Sequence, residues 1–473
     1  MPSASGRPQQ GVAALRAMLA RSITLLHATA LVIGIIIGAS IFVQPSVITG
    51  AVPSTIGVYA VWLVSGLLTL FGALIAAELA SAYPRAGGVY VFLREAFSPA
   101  LGFLWGWAMF WTMHTGIIAA IATIFARYAS FFHPMGDAGV RLLAVAAVIV
   151  LTAVNYVGVR QGSIVQTTFT ILKIAAIAAI IVAAFALGTH SGAAPSSSIA
   201  PVAPAAPPAP AATPFAPSRF PLAIVAGLFA FGGWHMVTYA AEETRDPERT
   251  IPRALLVGVL VVTACYIALN AAYFHVLSPE RIAGSNRVAA DAADAVLGHG
   301  GAAVMSAIVA VSTFGALNGV ILAGPRAYLA MARDGLLGSW AAATHPRFHT
   351  PHRAILLQGL WAVVLVSTGS YRALFTRVVY TEWLFFALMG VGLMRLRRTS
   401  RYAPAYRVWG YPIVPIVFVA SSMYIVVTQI VAEPAASLTG LLFVAAGLPV
   451  YLLAVRKPSL PPSPPPATPD HAD

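Results

Sequence analysis

The stretch LVIGIIIGASIFVQPSVI, Leu31 to Ile48, is apolar enough to lie in lipid, yet small residues at Gly34, Gly38, Ala39 and Ser40 interrupt it. A second stretch, PLAIVAGLFAFGGWHMVTYAAEET from Pro221 to Thr244, repeats the pattern with Gly232 and Gly233 at its middle. A helix that unwinds in hydrocarbon strips peptide N–H and C=O groups of partners, so an unwound segment is tolerated only inside protein or beside a cavity. There, the N–H groups opening the next half-helix favour an anion, and the C=O groups closing the previous one favour a cation. An α-amino acid carries both charges on one carbon. Gly34 and Gly38 also form a G-x-x-x-G pair, which by itself indicates only close helix packing. Two breaks, the second flanked by Phe229, Phe231 and Trp234, favour a binding site where they meet.

Working outward, the chain has 473 residues, 59% hydrophobic and 9% charged, where soluble proteins carry about a quarter charged residues. The apolar residues come in runs of roughly 20, the length that crosses a hydrocarbon core. Spans are expected near 22–48, 57–82, 97–128, 140–158, 163–187, 221–244, 252–277, 302–332, 352–370, 378–395, 411–432 and 436–455. Twelve spans put both termini on one side. The net charge of +13 would suggest nucleic acid in a soluble protein, but here its distribution sets topology instead. With the N-terminus inside, twenty of the 28 Lys and Arg residues fall on the cytoplasmic side and seven outside, with Lys173 alone in mid-membrane. That asymmetry fits the positive-inside rule. The first 20 residues lack the apolar run of a cleavable leader, so the N-terminus is expected to be mature and cytoplasmic.

Residues 1–21 then form a cytoplasmic tail and 188–220 a Pro/Ala-rich extracellular loop that separates two blocks of five spans, 22–187 and 221–395. Spans 11 and 12 occupy 411–455, and 456–473 is a Pro-rich cytoplasmic tail. The third members of the blocks, 97–128 and 302–332, exceed a perpendicular crossing and should tilt or protrude. The architecture is an all-α polytopic protein of the cytoplasmic (inner) membrane.

GIIIGASIFVQP in span 1, PRAGGVYVFLREAFSPALGFLWGW entering span 3 and FAFGGWHMVTYAAEETRDPERTIPRA through span 6 resemble the amino acid/polyamine/organocation superfamily, in particular its L-type amino acid transporter branch. NYVGVRQGSIVQTTFTILK and ALNGVILAGPRAYLAMARDG are similar to the same branch, so the resemblance covers most of 22–430. It implies a LeuT-type fold of two inverted five-helix repeats plus two further helices, and alternating access around a central site. It also implies that the N–H groups of Ala39 and Ser40, next to Gly38, receive a substrate carboxylate. The carbonyls of Ile36, Phe229 and Gly232 would take its ammonium, with the Phe229 ring as outer gate and His235 towards the substrate side chain. The chain departs from the family's usual Gly-Ser-Gly at Gly38-Ala39-Ser40, and from a frequent Asn at His235; backbone donors survive both changes.

Lys173 lies too deep for easy snorkelling, and an unpaired charge there costs at least about 2.5 kcal/mol. In the family resembled, a lysine here stands where sodium-coupled relatives hold sodium, bracing span 1 against span 8, where Ser312 and Thr313 offer hydroxyls. This implies sodium-independent transport, by exchange or with protons. Glu242 and Glu243 at the inner end of span 6 are read either as headgroup-level caps or as a gate, and Glu78 at the inner end of span 2 likewise. No role is assigned to Glu382 or His114.

No cofactor or metal is expected. Cys265 is the only cysteine, which excludes an intrachain disulfide and leaves no extracellular thiol for a disulfide-linked partner. No nucleophile, base or metal constellation marks an enzyme. The expected partners are an amino acid and the bilayer, with the chain a monomer or homodimer. The alternatives are a polyamine or organic-cation permease, which needs acidic groups in the pocket, and a sensor, which needs a signalling domain. Only backbone, aromatics and His235 stand near the breaks in the sequence.

Overall fold

The computed structural model describes residues 19, 21–188, 219–285, 287–369 and 380–455. Most of the expected N-terminal tail, the Pro/Ala-rich loop, the segment carrying Arg372 and Arg377, and the C-terminal tail lie outside the described residues.

The described chain is helical, and its one bridge between extended segments pairs Ile23 with Thr244. Nine helices among the described residues are long and apolar enough to cross a membrane. The first expected span is not among them because its sequence does not sustain one helix. It comprises α1 (Leu25–Ile36), a single 3₁₀ turn (Ser40–Phe42) and α2 (Gln44–Ala51). Then follow α3 (Thr55–Ala82), α4 (Val89–Ala96), and α5 (Pro99–Ala108), which continues through a π segment into α6 (His114–Ala129). Next come α7 (Asp137–Val157), α8 (Val159–Leu187), and α9 (Phe220–Ala230), with the 3₁₀ helix Trp234–Glu243 after it. The remainder comprises α10 (Pro247–Val276), α11 (Pro279–Gly284), α12 (Val288–Leu297), α13 (Gly301–Ala323), α14 (Pro325–Arg333), α15 (His352–Thr368), α16 (Tyr380–Leu396), α17 (Ile413–Ala432), α18 (Pro434–Ala445) and α19 (Gly447–Val455).

Local chemistry sets the ends. Thr24, Ser54 and Ser98 accept from the N–H groups of His27, Gly57 and Leu101, satisfying donors that open α1, α3 and α5. Pro99 and Pro247 sit in the first turns, where the missing N–H costs nothing. The two spans expected to be long are so: Pro99–Ala129 runs 31 residues and Gly301–Arg333 runs 33, the latter interrupted at Gly324, just before Pro325. One turn before it the carbonyls of Val320 and Ile321 are met by His114 Nε2 at 2.8 Å and Gln358 Nε2 at 3.2 Å. His114 is therefore a packing residue between α6 and α13.

The helices most exposed along their length carry apolar side chains outward. Ile164, Ile171, Leu172, Val182 and Phe185 cover the outer face of α8, as lipid contact requires. The interior is built around α1, α3, α10 and α13. Small residues let these approach closely: a Cβ at Gly66 would meet Thr263, and one at Gly258 would meet Val32.

Candidate functional site

Both interruptions read in the sequence exist. Helix α1 ends at Ile36, Ile37 leaves helical geometry (φ −75°, ψ 83°), and the chain re-enters a helical turn at Ser40. Helix α9 ends at Ala230, and Gly233 adopts φ +91°, a left-handed conformation that only glycine takes without strain. Its place is tight as well, since a Cβ would stand 2.4 Å from Ile35 Cγ2. Gly38 and Gly232 are different: nothing lies within 4 Å of a Cβ added at Gly38, and only the Phe229 carbonyl, at 3.3 Å, near one at Gly232. Open space therefore adjoins both breaks.

The freed backbone is held from three directions. The Lys173 ammonium on α8 donates to the carbonyls of Gly34, at 2.8 Å, and of Ile37. Ser312 on α13 reaches the carbonyls of Ile37 at 3.2 Å and Gly38 at 3.3 Å. Tyr266 on α10 lies 3.1 Å from the Ile36 carbonyl and 3.0 Å from that of Ala230, so one hydroxyl bridges both helix ends. The charge on Lys173 thus has carbonyl partners, as its depth demands.

Thr313 is engaged within its own helix. Its hydroxyl bonds to the Val309 and Ala310 carbonyls of its own helix, at 2.7 and 3.0 Å. Adjacent helix positions point about 100° apart, and it is the Ser312 hydroxyl that reaches the carbonyls of α1. The Ile36 carbonyl already accepts from the Gly38 N–H at 2.8 Å as well as from Tyr266, which engages both of its lone pairs. Ala39 and Ser40 are half-buried and open the short turn, whose first N–H groups have no partner within it. The Phe229 ring is 47% exposed and Gly232 is exposed, so the ring does not cover the break.

His235 is 1% exposed and ringed by Trp105, Trp234, Tyr239 and Phe386. Glu382 comes to it from α16, Oε1 standing 3.6 Å from Nε2. Sequence reasoning left Glu382 without a role and found no acid near the breaks; the fold brings one there.

The opposite end of the bundle is tied shut. Glu243 and Arg326 are fully buried and pair through two contacts, Nε–Oε2 at 2.8 Å and Nη2–Oε1 at 3.0 Å. Glu242 pairs with Arg333 at 2.7 Å, and Asp334 takes Arg94 and the Tyr90 hydroxyl. Ile23 bonds through its backbone to Glu243 and Arg245, each at 2.9 Å. Glu242 and Glu243 therefore form part of one network joining the N-terminal segment, the 3₁₀ helix and α14. Glu78 is a separate anchor: it accepts from Arg397 and, at 2.6 Å, from the Val408 N–H. The Glu78 contact raises Arg397 above its ordinary guanidinium range, and burial, then Glu78, raises the nearby Tyr402 hydroxyl.

Tyr266, Arg326 and Trp105 were not singled out in the sequence. For Tyr266 a signal existed, because a tyrosine within an apolar span needs a partner for its hydroxyl. Arg326 carried one too, since an arginine inside a long span demands a counter-charge.

The family model for amino acid permease matches residues 23–455. The serine/threonine exchanger SteT of Bacillus subtilis is 32% identical over 440 residues, 92% of this chain and 96% of that protein. The mouse b(0,+)-type amino acid transporter 1 is 30% identical, covering 92% of this chain and 88% of its own. The rabbit large neutral amino acids transporter small subunit 2 is 32% identical, covering 92% and 81%. A match that runs the length of the bundle and includes both interrupted helices makes this multi-pass membrane protein a member of the amino acid permease family.

Proposed function

We propose that this chain is a secondary active carrier that moves amino acids across the cytoplasmic membrane by alternating access, independently of sodium, by exchange or with protons. The observation that carries the reading is the pair of interrupted helices, bare peptide groups beside open space, bridged by Tyr266. Such groups suit both charges of a zwitterion. The carboxylate falls to the N–H groups of Ala39 and Ser40 beside Gly38. The ammonium falls to the carbonyls of Phe229 and Gly232, and to Ile36 once its present donors yield. Twelve spans form two inverted five-helix repeats of LeuT type, 22–187 and 221–395, with 411–455 appended and both termini cytoplasmic. With the arginine-rich end closed and Phe229 exposed, the conformation is outward-facing, and Phe229 closes over bound substrate.

Sodium independence follows from Lys173, whose ammonium occupies the carbonyls a cation would need, with Ser312 beside it. The relatives' printed names, an exchanger and several amino acid transporters, support the substrate class. The place of Cys265 within α10 supports a chain without a disulfide-linked partner, acting as a monomer or homodimer. The test is uptake of labelled amino acids into proteoliposomes preloaded with amino acid, with choline replacing sodium. Equal uptake in both salts is expected; uptake that requires sodium would overturn the sodium-independent mechanism.

A further inference from the structure

Between Glu382 on α16 and Glu433 just after α17, the sequence holds five arginines and no acidic residue. Arg397 is neutralised: it meets Glu78 on α3, and its guanidinium lies 4.0 Å from the centre of the Tyr411 ring. Arg395, Arg398, Arg401 and Arg407 are exposed and meet no carboxylate among the described residues. The segment that carries them is firmly held. Glu78 accepts from the Val408 N–H at 2.6 Å, Ser81 Oγ accepts from the Tyr406 N–H at 3.1 Å, and the Tyr402 ring packs on Tyr83 with centroids 6.2 Å apart.

Beside the arginines, Trp409 is 61% exposed and Ile413 67%. Ile413 opens α17, whose Val427 and Val431 are exposed as well, so this helix turns an apolar face to lipid. The arginines at its entrance therefore stand at the depth of the headgroups, where an exposed indole is also at home. The sidedness of positive charge does not by itself demand a run free of acids. Another basic segment, 245–253, interleaves Arg245, Arg249 and Arg253 with Asp246 and Glu248. In 395–407 the like charges repel one another and lack an internal partner, so an anion must come from outside. A guanidinium presents forked donors that match a phosphate. A free phosphate would make no use of Trp409 and Ile413, whereas a phospholipid covers both halves of the surface.

We propose that residues 395–413 form a seat for a phospholipid of net negative charge, its phosphate taken by the exposed arginines and its acyl chains lying along Trp409 and α17. A zwitterionic phospholipid fits less well, because its ammonium meets the same arginines as a like charge. The seat depends on the chain being a membrane protein and not on what it transports.

The test follows thermal unfolding of the detergent-purified full chain during titration with dioleoylphosphatidylglycerol, dioleoylphosphatidylcholine or inorganic phosphate. Phosphatidylglycerol is expected to raise the midpoint at lower concentration than phosphatidylcholine, and phosphate to leave it unmoved. Combining Arg398→Gln, Arg401→Gln and Arg407→Gln should raise the phosphatidylglycerol concentration needed by about tenfold or more and leave the response to phosphatidylcholine in place. Equal potency of the two lipids would overturn the proposal, as would stabilisation by phosphate alone or an unchanged response in the variant. A second measurement needs no variant. A phosphatidylglycerol with a photoreactive headgroup, activated on the native chain, should attach within 395–413, and attachment only elsewhere would place the lipid at another site and sink this one.

Discussion

Gly34 and Gly38 share one motif and do two jobs. A Cβ at Gly34 would stand 2.1 Å from Gln166 Nε2 and 2.3 Å from Thr170 Oγ1, whereas one at Gly38 meets open space. The G-x-x-x-G spacing could therefore be read either as packing or as a binding break: Gly34 is packed, and Gly38 has the open space that a binding break requires. Gly34→Val overpacks the contact between α1 and α8, which costs roughly 1–3 kcal/mol, and thermal unfolding should move down accordingly. Gly38→Val should leave unfolding close to the native midpoint while abolishing stabilisation by any amino acid, because the methyls fill the space beside the donors. If Gly38→Val proves as destabilising as Gly34→Val, the open space beside the break is not a binding cavity.

At the scale of elements, what the sequence made legible was the location of strain, and what it hid was the relief. Glycines and small residues show where a helix gives way, and Lys173 in mid-span announces that something must meet its charge. That carbonyls of an unwound α1 could cap it was within reach of the sequence; which ones do, Gly34 and Ile37, is visible only once that helix has opened. Ser312 was within reach of inference, but not its separation from Thr313, which depends on how α13 is rotated about its axis. His235 and Glu382 meet across α16 and the 3₁₀ helix, a contact no local pattern encodes. Tyr266 is the clearest case, since one hydroxyl ties the ends of α1 and α9 together. Tyr266→Phe removes that tie and leaves the Ala230 carbonyl without it, a loss of about 1–3 kcal/mol. Because the two ends must move in concert, initial uptake should fall roughly tenfold or more. The aromatic packing against Trp62 and Phe231 persists in the variant, so expression should not fall. Unchanged uptake would mean that the two breaks move independently.

For the whole molecule the relevant quantity is the balance between a state closed at the arginine-rich end and one closed at the other. The Glu243–Arg326 pair is buried and dry only while that end is shut. Removing one partner of a buried ion pair costs about 3–5 kcal/mol because the other charge is left without compensation. Opening the end admits water and cancels that penalty, so it falls on one state alone. A preference of 99 to 1 corresponds to about 2.7 kcal/mol, half the energy that carries an equilibrium from 1:99 to 99:1. Arg326→Gln should therefore turn the molecule over to the state open at that end. With Cys265→Ser as background and a single reporter Ala39→Cys beside the break, a membrane-impermeant maleimide added on the arginine-rich side should label slowly. Adding Arg326→Gln should raise that rate by about tenfold or more, with labelling from the other side falling in step. Labelling that rises from both sides together would indicate local unfolding rather than a shift between two closed ends, and the buried pair would then be a staple of the fold and not a gate.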